Sequence, residues 1–381
     1  MDFDFTSEQE ELREAVTAFA RAELGANLLE EERAGHFSRT KWEAAARFGL
    51  QGLPMPEAFG GTDRDLLTTV CAMEGLGYGC PDNGLIFSLN AHIWSAEMPI
   101  LKFGTPEQKD RYLPKLVGGD WIAVHAMTEE GSGSDAFNVR TTATRRGDRF
   151  VLNGSKLFIT NAPVADVVVV FASEDLESGP DGISAFLVEK GTPGFSVSRP
   201  FEKMGLRTSP MGQIFLEDCE VPAERRLGGE GAGVALFNSS MDYERACILA
   251  ANIGTLERQL ETCVERARTW QRFGKAIGKF QSVSNKIADM KVRLETARLL
   301  LYKTAWLKGR GKRASMESAM AKLYVSECFV QSSLDAIELF GAYGYMAEYE
   351  IERDLRDAVG GTIYSGTSAI QRMIVARHLG L

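Results

Sequence analysis

The stretch His125-Ala126-Met127-Thr128-Glu129-Glu130-Gly131-Ser132-Gly133-Ser134-Asp135-Ala136 holds a G-x-G-x-x-A run directly after a strand-like segment. Such a run marks a dinucleotide-binding βαβ unit only when it opens a helix and an acidic residue follows the second strand. Here Thr141-Thr142-Ala143-Thr144 and a β-rich stretch come next. A doubly wound nucleotide fold is therefore excluded. On the pattern alone the segment is a turn, and its glycines and serines can present backbone N–H groups and hydroxyls to a phosphate.

Outward from this turn the periodicity changes twice. Segments 121–128, 149–160, 166–173, 183–189 and 213–218 are rich in Val, Ile, Phe and Thr, with turn signals at Gly147-Asp148, Asn153-Gly154 and Pro180-Asp181-Gly182. Upstream the chain reads as helical. Ser7-Glu8-Gln9-Glu10 has the form of a capping box, followed by Leu12, Val16, Phe19 and Leu24 at helical spacing. Gly60-Gly61 separates helices, and Thr105 caps another with Pro106 in its first turn. After Gly233 the helical period returns. Phe237, Met241, Ile248, Ile253, Leu256, Leu260 and Val264 predict one long helix. Val283, Ile287, Met290, Leu294 and Ala297 predict a second, and Leu323, Cys328, Phe329, Leu334, Ile337 and Phe340 a third. The expected architecture is α+β and multidomain: helices over 1–120, a β domain over 121–231, and a helix bundle over 232–381.

Composition narrows the function classes. A formal net charge of −9 argues against a nucleic-acid or anionic-membrane surface. The acidic start Met1-Asp2-Phe3-Asp4-Phe5 has no basic or apolar signal region, and no apolar run approaches the ~20 residues that span a bilayer. A cytoplasmic location is expected. The six cysteines form no C-x-x-C pair and the four histidines are far apart, so reduced thiols and no metal are expected.

Several motifs together resemble the acyl-CoA dehydrogenase flavoproteins. The stretch beginning at His125 is similar to the family's flavin signature, with Glu130 where a proline is usual. Lys156-Leu157-Phe158-Ile159-Thr160-Asn161 resembles its second flavin strand, with Phe158 in place of tryptophan. Arg272-Phe273-Gly274-Lys275 and Phe280-Gln281 resemble the segment that holds the FAD of a neighbouring subunit. The family's arginine is Trp270 here, and Arg272 is the candidate replacement. Glu338-Leu339-Phe340-Gly341-Ala342 stands where Gln-x-Phe-Gly-Gly is common, so Glu338 must face the ribose or be offset by Arg272. Thr362-Ile363-Tyr364-Ser365-Gly366-Thr367-Ser368-Ala369-Ile370-Gln371-Arg372 resembles the C-terminal signature, but Ser365 occupies the place where many members carry their catalytic glutamate.

A serine hydroxyl cannot remove a carbon-bound proton. Members that lack the C-terminal glutamate carry it on another helix, just before an arginine, and Glu244-Arg245 in Ser239-Ser240-Met241-Asp242-Tyr243-Glu244-Arg245 matches that arrangement. On spacing alone the same residues are an ordinary charged helix face. The resemblance implies a β-barrel-like middle domain over 121–231, a C-terminal four-helix bundle over 232–381, and Glu244 as catalytic base. It implies His125, Met127, Thr128, Gly133, Ser134, Phe158, Ile159, Thr160, Arg272, Phe273, Gln281, Gly341, Thr367 and Ser368 at the FAD. It also implies Ser134, Asp242, Arg245, Ser365 and Gly366 at the substrate, with the Ser365 N–H donating to the thioester oxygen. The expected reaction is α,β-dehydrogenation of an acyl thioester by a homotetramer, reoxidised by oxygen or an electron-transfer flavoprotein.

Within the family, Asn161 to Asp166, Phe237 to Gly254, and Ile363 to Thr367 look closest to the branch that oxidises prolyl groups on peptidyl carrier proteins. A pyrroline or pyrrole-2-carboxyl thioester for natural-product biosynthesis is the expected product. Ser365 would leave room for the ring. Lys303, Lys308, Arg310, Lys312 and Arg313 form a candidate docking cluster for an acidic carrier, and are otherwise a solvated loop. A short branched acyl-CoA dehydrogenase and a catalytically silent flavin- or acyl-binding module are the alternatives.

Overall fold

The computed structural model describes residues 4–381; Met1, Asp2 and Phe3, part of the acidic start, lie outside the described residues. The chain opens with α1 (Ser7–Glu23), α2 (Leu28–Ala34), α3 (Arg39–Phe48), α4 (Leu66–Gly79), α5 (Asn83–His92), α6 (Met98–Phe103) and α7 (Pro106–Val117). A π-helical turn, Ile93–Glu97, joins α5 to α6. The α1 cap is one residue earlier than the sequence suggests. Thr6 accepts from the Gln9 N–H, and the Gln9 side chain accepts from the Thr6 N–H. The amide does here what the expected Glu10 carboxylate would have done. Thr105 and Gln108 form the same reciprocal cap on α7.

Eight strands follow: β1 (Ala123–Ala126), β2 (Thr142–Arg146), β3 (Arg149–Thr160), β4 (Val167–Ser173), β5 (Ile183–Glu189), β6 (Phe195–Val197), β7 (Met211–Pro222) and β8 (Arg226–Leu227). They form one mixed sheet in the order β6-β7-β3-β2-β4-β5-β8, with β1 parallel on β4. The path is open: β6 and β8 end it, and no closed barrel forms among the described residues. Both faces of β4 and β5 are buried, so these strands read as continuous apolar runs. Asn153-Gly154 is not a turn. It lies inside β3 at a register shift against β7, with Gly154 at φ +148° and its Cα facing Thr141. A bulge and a hairpin turn share the same glycine signal in sequence.

The remainder is helical: α8 (Gly233–Cys247), α9 (Ala250–Thr269), α10 (Gln281–Gly309), α11 (Ser315–Phe340), α12 (Ala342–Tyr345), α13 (Ile351–Gly361) and α14 (Ser368–His378). A two-stranded hairpin, β9 (Gln271–Arg272) and β10 (Lys275–Ala276), separates α9 from α10. The expected single helix from Phe237 to Val264 is two, broken at Ile248-Leu249. Both residues at the break are buried, so the apolar period runs through it unbroken.

Packing ties the N-terminal helices to the C-terminal ones. Gly77 of α4 faces Ala251 of α9 so closely that a Cβ would fall 1.8 Å from the Ala251 carbonyl oxygen. Beside this crossing, Glu74 of α4 accepts from Arg13 of α1 and Arg298 of α10, each at 3.0 Å, and from the Tyr302 hydroxyl at 2.9 Å. All six cysteines are free and buried. No described helix is long and apolar enough to cross a membrane.

Candidate active site

Glu244 lies in α8 and is 7% exposed. Both carboxylate oxygens are engaged. Oε2 accepts from the Ser95 hydroxyl at 2.7 Å, and Oε1 accepts a short hydrogen bond from the Ser365 hydroxyl. Burial pushes the carboxyl above the usual range, while the two hydroxyls, Arg245 and Lys322 favour its ionised form. Ser95 belongs to the π-helical turn, where an extra residue displaces the side-chain register of the helix. His92 fastens that turn. Its Nδ1 accepts from the Ala123 N–H of β1 at 2.9 Å, which leaves Nε2 as the protonated nitrogen facing Glu97 at 3.0 Å.

Ser365 and Gly366 connect α13 to α14, and both are left-handed, at φ +55° and +87°. A non-glycine residue in that region persists only where its surroundings hold it. The Ser365 carbonyl accepts from Arg245 Nε at 3.2 Å and Gln371 Nε2 at 3.0 Å. The Gly366 carbonyl accepts from Gln371 Nε2 at 2.8 Å and Lys322 Nζ at 2.7 Å. Among the described residues the Ser365 N–H meets no protein acceptor. Thr367 caps α14, accepting from the Ile370 N–H, and the neighbouring Ser368 hydroxyl is buried without a partner.

The strand ends beside this site are pinned by a buried ion pair. Lys156 Nζ lies 2.7 Å from Glu129 Oε1 and also donates to the Met127 carbonyl at 3.1 Å. Glu129 further accepts from the Arg140 and Thr141 N–H groups and the Thr141 hydroxyl. Burial brings Lys156 down to about 8 despite Glu129. The Leu157 N–H donates to the Thr128 carbonyl at 2.8 Å. These bonds lay the Met127–Thr128 segment against β3. At the next residue β3 bulges: Phe158 has φ +58° and is 60% exposed, while Ile159 is buried and Thr160 half-buried. A strained, outward-facing aromatic on a well-fastened strand is a ready wall for a planar ligand. Gly133 and Ser134 are exposed on the loop between β1 and β2, which does not open a helix.

The His125 ring packs against Phe171 at 4.8 Å and Phe237 at 5.6 Å. Burial holds this imidazole down to about 3, so it is neutral, and its Nε2 has no partner. Phe237 lies on α8, so the same cluster sets β1 against the helix that carries Glu244. Asp242 accepts from the Ser315 hydroxyl at 3.0 Å and is thereby tied to the start of α11.

The other expected cofactor residues stand apart. Phe273 tops the β9–β10 hairpin, 94% exposed at φ +52°. Gln281 and Gly341 are exposed, and near the hairpin Trp270 meets Tyr343 at 5.4 Å. No hydrogen bond, ion pair or ring contact among the described residues joins them to Glu244 or Phe158. The Arg272 and Arg266 guanidiniums lie 4.5 and 3.5 Å from the Trp270 ring centre. Glu338 is offset by Lys286 at 2.8 Å rather than by Arg272. In the basic cluster, Lys308 stands over the Tyr243 ring at 4.3 Å, as does Lys102 of α6 at 4.1 Å, and Arg310 stands over Trp306.

Three family models cover nearly the whole chain: the acyl-CoA dehydrogenase N-terminal domain over 6–120, the middle domain over 125–219 and the C-terminal domain over 231–380. The chain belongs to the acyl-CoA dehydrogenase family. An L-prolyl-[peptidyl-carrier protein] dehydrogenase of Pseudomonas fluorescens is 42% identical over 382 residues, covering 100% of both chains. Among solved structures, the prolyl acyl carrier protein oxidase AnaB is 50% identical with a TM-score of 0.98, covering 99% of this chain and 100% of its own. PigA with FAD and proline is 43% identical, also at 0.98, with 100% of each chain covered.

Sequence reasoning missed three parts of this site. Ser95 carries no signal, because a π-helical turn has no local pattern. The pairing of Lys156 with Glu129 joins two quoted motifs across the sheet. Lys322 could have been noticed as a lone charge among Ala319, Ala321, Leu323 and Val325.

Proposed function

We propose that this chain is an FAD-dependent dehydrogenase of a prolyl group carried as a thioester on a carrier protein, giving a pyrroline or pyrrole-2-carboxyl thioester. The observation that carries the reading is the buried Glu244 carboxylate bonded to the Ser365 hydroxyl, beside a turn whose Ser365 N–H meets no acceptor among the described residues. Glu244 takes the α-proton, and its raised pKa makes it a stronger base. The Ser365 N–H receives the thioester oxygen as negative charge develops there, an oxyanion contact set in advance by the turn. Bound FAD supplies the acceptor for the β-hydrogen as hydride.

The residues fit that cofactor. Phe158 offers an exposed aromatic face, Met127 and Thr128 are fixed beside it, and the Ser368 hydroxyl is buried and unpaired. Phe273 and Arg272, exposed on a hairpin, serve the FAD of a neighbouring subunit in a homotetramer. The cations around Tyr243 and Trp306 dock the carrier, on a chain that is otherwise acidic. The names of the relatives support the prolyl carrier substrate, and the short Ser365 side chain leaves space for a ring where a glutamate would crowd it. The protein works in the cytoplasm.

The test is anaerobic flavin bleaching with L-prolyl-loaded carrier protein beside isovaleryl-CoA, in wild type and Glu244→Gln. Bleaching by the prolyl carrier, lost in the variant, is expected. Bleaching by the CoA ester alone moves the chain to branched-acid oxidation. No bleaching of a bound flavin by either overturns the reading.

A further inference from the structure

Lys322 transfers no proton or hydride in the reaction proposed above, yet it lies at the site's centre, where its charge favours the ionised Glu244. It sits on α11 with no solvent exposure, and it makes no ion pair within 4.0 Å among the described residues. Its one hydrogen bond runs from Nζ to the Gly366 carbonyl at 2.7 Å, and the Tyr364 ring centre lies 5.9 Å away. A buried ammonium is costly, and a methionine would fill the same space without that cost. What the lysine adds, besides its charge near Glu244, is a donor aimed at one carbonyl.

That carbonyl belongs to the turn that presents the Ser365 N–H. Peptide groups are planar, so holding the Ser365 and Gly366 carbonyls fixes the two planes that flank Gly366, while the Ser365 N–H lies in the preceding plane, which follows Tyr364, itself anchored to the end of α13 by its N–H on the Gly360 carbonyl at 3.1 Å; Ser365 is thus confined between two held segments. Three side chains from three helices do the holding: Arg245 from α8, Gln371 from α14 and Lys322 from α11. Without them, a serine at φ +55° relaxes toward the ordinary region and its N–H turns away. We infer that Lys322 is a positioning residue, which locks the Ser365–Gly366 turn so that the Ser365 N–H faces the thioester oxygen. The inference rests on the oxyanion role proposed above for that N–H.

The test uses FAD-loaded wild type, Lys322→Met and Gln371→Met. Two readouts are needed. One is the single-turnover bleaching rate as a function of prolyl-carrier concentration. The other is the long-wavelength charge-transfer absorbance with 3-oxobutyryl-pantetheine, whose enolate is stabilised by the same donor. In Lys322→Met the limiting rate should fall by about 10²-fold and the band severalfold, with half-saturation changed by less than about threefold. FAD content and melting temperature should stay near wild type. A wild-type rate and band in Lys322→Met overturn the inference. Should that variant fail to hold FAD, Gln371→Met decides, since it removes the other donor on Gly366 together with one of the two on Ser365: the same split supports the lock, and wild-type behaviour overturns it. A wild type that shows the band but is not bleached by prolyl carrier refutes the substrate and leaves the lock standing. A wild type without the band refutes the oxyanion role and the inference with it.

Discussion

Replacing Ser365 by alanine tests whether the hydroxyl tunes Glu244 or merely vacates space. The hydroxyl donates to Glu244 Oε1 in a buried site, and it is the largest of the contributions that favour the ionised carboxylate. A hydrogen bond to a charged group contributes about 1.5–3 kcal/mol. The neutral acid keeps part of it, so removal should raise the Glu244 pKa by roughly 1 unit, with about 2 as the ceiling at 1.36 kcal/mol per unit. In the proposed reaction Glu244 acts ionised, so the acid limb of kcat/KM should move to higher pH by the same amount. Below the limb the variant should be about tenfold slower, and above it near wild type, because the backbone N–H at position 365 survives. The stability sign follows. A carboxyl raised by burial favours folding less as pH climbs from its unfolded value through its folded one, and Ser365→Ala extends that decline upward. The measurement is single-turnover bleaching by the prolyl carrier across the acid limb, with melting temperature at the same pH values. An acid limb that stays in place, or moves down, refutes the argument.

Ser95→Ala removes the second donor and should move the same limb in the same direction, leaving the turn at Ser365 intact. Ser365→Glu should retain FAD but lose prolyl turnover, and full turnover would count against the space argument for the ring. Lys156→Met leaves Glu129 buried without its cation, which should cost about 3–5 kcal/mol and weaken FAD retention, read by thermal melting and flavin content. Gly77→Ala drives a methyl into the Ala251 carbonyl and should cost about 1–3 kcal/mol or more by denaturant titration, without moving the pH profile.

Long apolar periodicities were readable because burial writes them directly: β3 and β5 fall on 149–160 and 183–189, as their residues indicate. Boundaries set by one polar contact were not. The first cap went to Thr6 because Gln9 could answer it. The helix predicted from Phe237 to Val264 breaks at Ile248-Leu249 with no glycine or proline to mark it. The short strands β2, β6 and β8 exist because neighbouring strands leave them partners, which is a property of the sheet and not of the segment. The same holds for the open edges, since closure depends on pairing between distant strands.

The site was legible where it depended on residue type and obscure where it depended on orientation. Glu244 and Ser365 are 121 residues apart, and sequence alone pairs them only as one position lost and another gained. The structure makes the exchange physical. A glutamate at 365 would set a second carboxylate against Glu244 in a buried space, and like charges there cannot both ionise. Serine removes that conflict and returns a hydroxyl that favours the ionised form of the remaining acid. The backbone at 365 is untouched by the exchange, because its fastenings come from Arg245, Gln371 and Lys322 and reach only main-chain carbonyls. The turn can therefore keep its main-chain geometry while its side chain takes up another contact, which is why the proposed oxyanion role of the N–H does not depend on a base at this position.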